Sequence, residues 1–172
     1  MLKEAIDMCK KIKDKKLTFV LNPDDVWEKF DNSLKPIINC NWQEVKFLDD
    51  SCQVLHSSMS SLPSDSGGIY IFILKPEIVP NTHLYILYIG RAKNTPHQNL
   101  RKRCSQYIKD TRPKICIMRD SWGKNLFIRY LPLKDNDIID RLEKELIKSI
   151  FPPCNDDYPD KVIKMAMKSA FM

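Results

Sequence analysis

Residues 136–150 read as a helix, and on its wheel Glu143 falls where a solvated carboxylate does not belong. With Ile139 at zero and about 100° per residue, Leu142, Leu146, Ile147 and Ile150 cluster around one direction, and Glu143 lies among them. Arg141, Lys144, Glu145 and Lys148 fall on the other side. An unpaired carboxylate turned inward is costly, so Glu143 is read as a metal ligand, as half of a buried Glu–Arg ion pair, or as an edge-of-face residue that reaches water. A second candidate group lies upstream. Leu100, Cys104 and Ile108 form an apolar stripe, and Arg103 and Tyr107, one helical turn apart, flank it on the same face. A guanidinium fork beside a phenol suits a phosphate, since the fork holds two oxygens at once; a surface arginine stacked on a tyrosine is the alternative. Tyr70 and Tyr88 each sit in an apolar run, where a buried hydroxyl needs a hydrogen-bonding partner and where tyrosine is also an ordinary core residue.

Several of these groups share a basic stretch. Between Arg91 and Arg119 stand Arg91, Lys93, Arg101, Lys102, Arg103, Lys109, Arg112, Lys114 and Arg119, against the single acid Asp110. The whole chain has 172 residues and a formal net charge of +6, a sign compatible with nucleic acid and equally with a solvated basic face. A hydrophobic share of 43 % is enough for a packed core in one domain, or one domain with an extension. The six cysteines are scattered without a C-x-x-C pair, and His56, His83 and His97 add no zinc spacing, so free thiols in the cytoplasm are expected. No leader, membrane-length apolar run or small-molecule cofactor motif is read, so no membrane partner is expected.

The elements that must position these residues follow from periodicity. A basic amphipathic helix is expected over 2–16, packing its apolar side on the core. A short helix follows Asn22-Pro23-Asp24, with Val26, Trp27 and Phe30 as its apolar residues, and a third helix spans 49–60. After the turn 64–68, residues 69–74 and 84–90 read as strands apolar on both faces, joined by a loop that contains Pro76 and Pro80. A helix at 99–109, a strand at 126–131, the helix at 136–150 ending before Pro152, and a short helix in 160–169 complete the chain. The expected fold class is α+β, a small three-stranded antiparallel sheet flanked by helices. A mostly helical extension, residues 1–62, precedes a domain at 63–172.

In order along the chain, Gly68-Ile69-Tyr70, Tyr88-Ile89-Gly90, Leu100-Arg101-Lys102-Arg103 with Tyr107 four residues on, Leu142-Glu143-Lys144-Glu145-Leu146-Ile147-Lys148 and Pro152-Pro153-Cys154-Asn155 resemble the successive motifs of the GIY-YIG nuclease superfamily. The resemblance covers about residues 63–158. The loop between the two signatures and the extra residues 94–98 depart from the family's shortest forms, which bears on substrate geometry rather than on chemistry.

The resemblance implies a metal-dependent endonuclease that hydrolyses DNA phosphodiester bonds with one divalent ion, Mg²⁺ or Mn²⁺, held by Glu143. Arg103 would neutralise charge on the phosphoryl oxygens. Tyr70 is expected as the base, aided by Arg91, with Tyr88 orienting water or phosphate. Tyr107 would bind the phosphate or assist the leaving group, and Asn155 would brace the site. Arg91, Lys93, Arg101 and Lys102 are expected to contact DNA. The length looks like a stand-alone restriction-type enzyme, with residues 1–62 supporting DNA binding or a homodimer. A structure-selective repair or phage-defence nuclease is the alternative enzyme, and a non-catalytic DNA-binding subunit the alternative from another class.

Overall fold

The computed structural model describes residues 2–14, 16, 17, 19, 30–76, 78, 79, 82, 84–159, 161, 164 and 165. It is an α+β fold built on a four-stranded antiparallel sheet of order β1-β4-β2-β3. The strands are β1 (Gln43–Lys46), β2 (Gly67–Leu74), β3 (Tyr85–Ala92) and β4 (Leu126–Leu133). The helices are α1 (Leu2–Asp14), α2 (Lys35–Ile38), α3 (Leu100–Ser105), α4 (Pro113–Trp122) and α5 (Asn136–Ile150).

Strand alternation sorts the core into two layers. Ile69, Ile71 and Ile73 of β2 face α5 and pack with Ile139, Leu142, Leu146 and Ile147. Tyr70 and Phe72 face the opposite side and pack with Leu100, Cys104, Tyr107, Ile115 and Met118. A strand covered on both faces has no reason to alternate apolar with polar, which is why β2 reads as one continuous apolar run.

Four expectations are corrected. The sheet has four strands rather than three, because Gln43–Lys46 pairs with β4. Only Val45 in this short edge strand is buried, so it carries too little pattern to be seen without its partner. The same pairing ties the expected extension into the domain: Val45, Phe47, Leu48 and Leu62 lie in one core layer, and Phe30 and Leu34 in the other. Residues 49–60 are not one helix. The Asp49 carboxylate accepts hydrogen bonds from Ser51 Oγ and the Val54 amide, which closes a turn, and only Ser57–Ser61 forms a 3-10 turn, capped by His56. In α1, Leu2, Ile6, Met8 and Ile12 are exposed rather than packed on the core.

Helix α4 was not expected. Pro113 in its first turn fits a helix start, but the short apolar spacing of Ile115 and Met118 is a weak signal. The helix expected at 99–109 divides into α3, capped by the Asn99 side chain on the Lys102 amide, and a 3-10 turn at Gln106–Lys109. Helix α5 keeps the expected bounds, with Asp135 capping its start and Phe151 in left-handed conformation ending it before Pro152. The helix expected after Asn22 lies outside the described residues, as does most of the one expected in 160–169. Among the described residues, no helix is long and apolar enough to cross a membrane. All six cysteines are free thiols.

Candidate active site

Tyr70 and Tyr88 face the same side of the sheet by regular pairing, Tyr70 opposite Gly90 and Tyr88 opposite Phe72. Phe72 pairs with Tyr88 but Ile73 pairs with Ile86, so Leu87 is an extra residue in β3. Leu87 and Tyr88 therefore both join the layer that contains Tyr70, whereas Ile86 and Ile89 pack on the α5 side. The Tyr70 ring lies over Gly90, its cross-strand partner. At Gly68, φ is +144° and a side chain would meet the Leu131 carbonyl oxygen, so the first motif also depends on its glycine.

The turn after α3 adds Tyr107, whose hydroxyl is 2.8 Å from that of Tyr70. Arg103 closes the group: its Nε donates to the Tyr70 hydroxyl at 3.3 Å, and its guanidinium lies 5.4 Å from the Tyr107 ring centre. Tyr70 is 0 % exposed and Tyr107 1 %, against 8 % for Tyr88. Burial pushes the Tyr70 phenol well above its usual range, with the neighbouring Tyr107 adding to it, and burial likewise raises Tyr107. A base needs the ionised form within reach, so this direction runs against Tyr70 as the proton acceptor.

Asn155 holds the strand that carries Tyr88 and Gly90. Its Oδ1 accepts from the Ile89 amide at 2.9 Å and its Nδ2 donates to the Ile89 carbonyl at 2.8 Å. The side chain thus pairs with the outer edge of β3 as another strand would, and the Cys154 amide continues the pairing to the Leu87 carbonyl at 2.9 Å.

Arg91, two residues after Ile89, faces α5 rather than the tyrosines, so it is not beside the phenols it was expected to influence. Its Nη1 donates to Glu143 Oε2, and its Nε lies 2.9 Å from Asp140 Oδ1, an ion pair off the direction of a hydrogen bond. Lys93 adds a pair with Asp140 at 3.3 Å. Here the ion-pair alternative for Glu143 is realised. Burial raises the Glu143 carboxyl above its ordinary value, and Arg91 opposes that shift.

Among the described residues no group of three or more His, Cys, Asp or Glu side chains forms a metal cage. The donors at this corner are carboxylate oxygens one helical turn apart, Asp140 and Glu143, beside an open cavity. That set fits Mg²⁺ or Mn²⁺, which take one or two carboxylates and complete their shell with water and phosphate oxygens. An ion on Glu143 would need Arg91 to release its carboxylate.

The two layers meet at the β3 edge, around one open cavity of about 780 Å³. Its wall includes Tyr70, Tyr88, Arg91, Lys93, Arg103, Glu143 and Asn155, seven of the ten residues singled out from the sequence. Tyr107 stands behind Tyr70 rather than on the wall. Arg101 is turned away, its Nε donating to the Leu62 carbonyl at 2.7 Å, and Lys102 is exposed on α3 outside the wall.

Two further polar residues belong to this neighbourhood. Asp140, one turn before Glu143, shares its arginine, and that spacing was the available signal. Arg112 lies 5.7 Å from the Tyr88 ring centre and 5.6 Å from that of Tyr107; in the sequence it was one cation among nine. Compared with known proteins, the chain matches no family model, no curated protein and no solved structure.

Proposed function

We propose that this protein is a metal-dependent DNA endonuclease of the GIY-YIG type. One observation carries the reading: phenols and a guanidinium from one face of the sheet and a half-buried carboxylate from the other line a single open, cation-rich cavity. The sequence motifs order the same residues along the chain, and a phosphodiester is the substrate that this mixture suits.

Arg103 offers a planar fork to the phosphoryl oxygens and is held in place by Tyr70, which Tyr107 anchors in turn. Tyr88, the least buried of the three phenols, orients the attacking water at the cavity wall. Glu143 would hold the divalent ion, and Asp140, which pairs with both Arg91 and Lys93, would keep Arg91 near once it releases Glu143. The ion, when bound, supplies Lewis-acid stabilisation of charge on the phosphate. Asn155 fixes the backbone between Tyr88 and Gly90.

The test is incubation of plasmid DNA with Mg²⁺ or Mn²⁺. Discrete double-strand fragments support a restriction-type enzyme, and nicks or cutting confined to branched DNA support a structure-selective one. Binding without cutting by the wild type in either metal overturns the enzyme reading in favour of a DNA-binding subunit.

A further inference from the structure

Arg112 lies outside every motif that pointed to the site, in the turn between the 3-10 segment Gln106–Lys109 and α4. Pro113 follows it and favours the extended backbone observed at Arg112, φ −59° and ψ 132°. One edge of its guanidinium is fixed. Nε donates to both Asp110 carboxylate oxygens at 3.1 Å, and Nη2 donates to Oδ2 at 2.8 Å. The Asp110 carboxylate is itself anchored by the Arg112 amide at 2.9 Å. A fork held in this way has a defined plane, with little freedom left to lose when it meets a ligand.

The central carbon of the Arg112 guanidinium lies 5.7 Å from the Tyr88 ring centre and 5.6 Å from that of Tyr107, and the side chain is on the wall of the same cavity as Arg103 and Glu143. Tyr107 therefore has two guanidinium groups near it, at 5.4 Å for Arg103 and 5.6 Å for Arg112. A pair between Asp110 and Arg112 accounts for a stable turn. It does not account for a fixed guanidinium on the tyrosine side of a wall that already holds Arg103 there. Arg91, Lys93 and Arg112 are each paired with a carboxylate, whereas Arg103 meets the Tyr70 hydroxyl and the Gln106 side chain, so an anion between Arg103 and Arg112 would meet two guanidinium groups across the tyrosines.

The geometry points to Arg112 as a second phosphate-binding arginine, contacting the non-bridging oxygens of the scissile phosphodiester from the tyrosine side of the cavity, with Asp110 as its positioning residue. This rests on the nuclease reading and deepens it.

The experiment is single-turnover cleavage with Mg²⁺ by the full chain, with thermal melting of each variant alongside. Arg112→Ala is expected to slow cleavage by about 10²–10³-fold, the effect of removing one donor to developing phosphoryl charge. Arg112→Lys is expected to retain part of the rate, and free guanidinium added to Arg112→Ala to restore part of it, which a merely structural role would not allow. In multiple-turnover assays alongside, Asp110→Asn is expected to raise KM more than it lowers kcat. Cleavage by Arg112→Ala at the wild-type rate, or a loss that neither lysine nor added guanidinium recovers, overturns the assignment and leaves the nuclease reading intact. Absence of cutting by the wild type overturns the nuclease reading and this assignment with it.

Discussion

Tyr70 occupies the space that a side chain on Gly90 would need. Its hydroxyl oxygen is 2.5 Å and its Cζ 2.6 Å from the position of a Cβ there. The two residues pair across β2 and β3, so the glycine that ends the second motif makes room for the tyrosine that ends the first. Gly90→Ala is expected to destabilise the fold by about 1–3 kcal/mol, as overpacking does. Cleavage should fall further than stability, because the displaced ring carries the Arg103 contact. Urea denaturation and a cleavage assay below the unfolding range measure both; a variant with wild-type stability and rate contradicts this account.

Glu143→Gln is expected to abolish cleavage, by about 10²-fold or more, while DNA binding persists. Glu145→Ala, on a side chain outside the cavity wall, should be nearly silent. The same variant has a pH signature. Burial raises the Glu143 carboxyl, so the fold holds that proton more tightly than the unfolded chain does. The contribution is fully present below the unfolded value of about 4.3 and is lost as pH rises through the raised folded value. Since Gln does not titrate, its urea midpoint should gain on the wild type from about pH 4 towards neutrality, and a constant gap across that range would contradict the shift.

Arg103 and Arg101 separate charge from placement. Lysine at Arg103 keeps the charge and loses the fork, so Arg103→Lys should cost about 10²-fold in cleavage rate. Arg101→Ala removes a hydrogen bond to the Leu62 carbonyl and should cost about 1 kcal/mol of stability with little change in rate. Cleavage rates and melting curves for the two variants decide it, and the reverse pattern would mean that the motif is read in the wrong register.

Asn155→Ala leaves the Ile89 amide and carbonyl without their side-chain partner beside a buried strand, at about 1–3 kcal/mol for each group that finds no water. Asn155→Asp keeps the acceptor but sets a buried carboxylate oxygen against the Ile89 carbonyl, so it should be no milder at neutral pH. Hydrogen exchange at the Ile89 amide reports the loss directly, and unchanged protection in Asn155→Ala would remove the bracing role.

On the nuclease reading, one such cavity would cut one strand at a time, and a restriction-type enzyme would pair two chains on its DNA. Exposed Leu2, Ile6, Met8 and Ile12 of α1, next to Lys10, Lys11 and Lys13, make the N-terminal segment the expected contributor to pairing or DNA binding. Light scattering with and without cognate DNA checks this. A monomer in both states that yields mainly nicks favours a structure-selective enzyme.

Elements that carry their own signal were legible in the sequence. Helix α5 announces its bounds by a capping Asp135, a 3.6-residue apolar period and Pro152, and that same period exposed Glu143 as misplaced. β2 and β3 show themselves as apolar runs, and seven of the fifteen residues on the cavity wall are among those singled out from the sequence. Edge strand β1 and helix α4 were not legible, because a four-residue strand with one buried side chain and a weakly amphipathic helix take their definition from what they pack against. The partners inside the site were equally hidden. Residue types could not say that Glu143 meets Arg91 and Asp140, that Tyr107 stands behind Tyr70, or that Arg101 turns away while Arg112 turns in. Those outcomes depend on the register between strands and on which face of each strand meets which helix, and such relations arise only when segments distant in the chain are packed together.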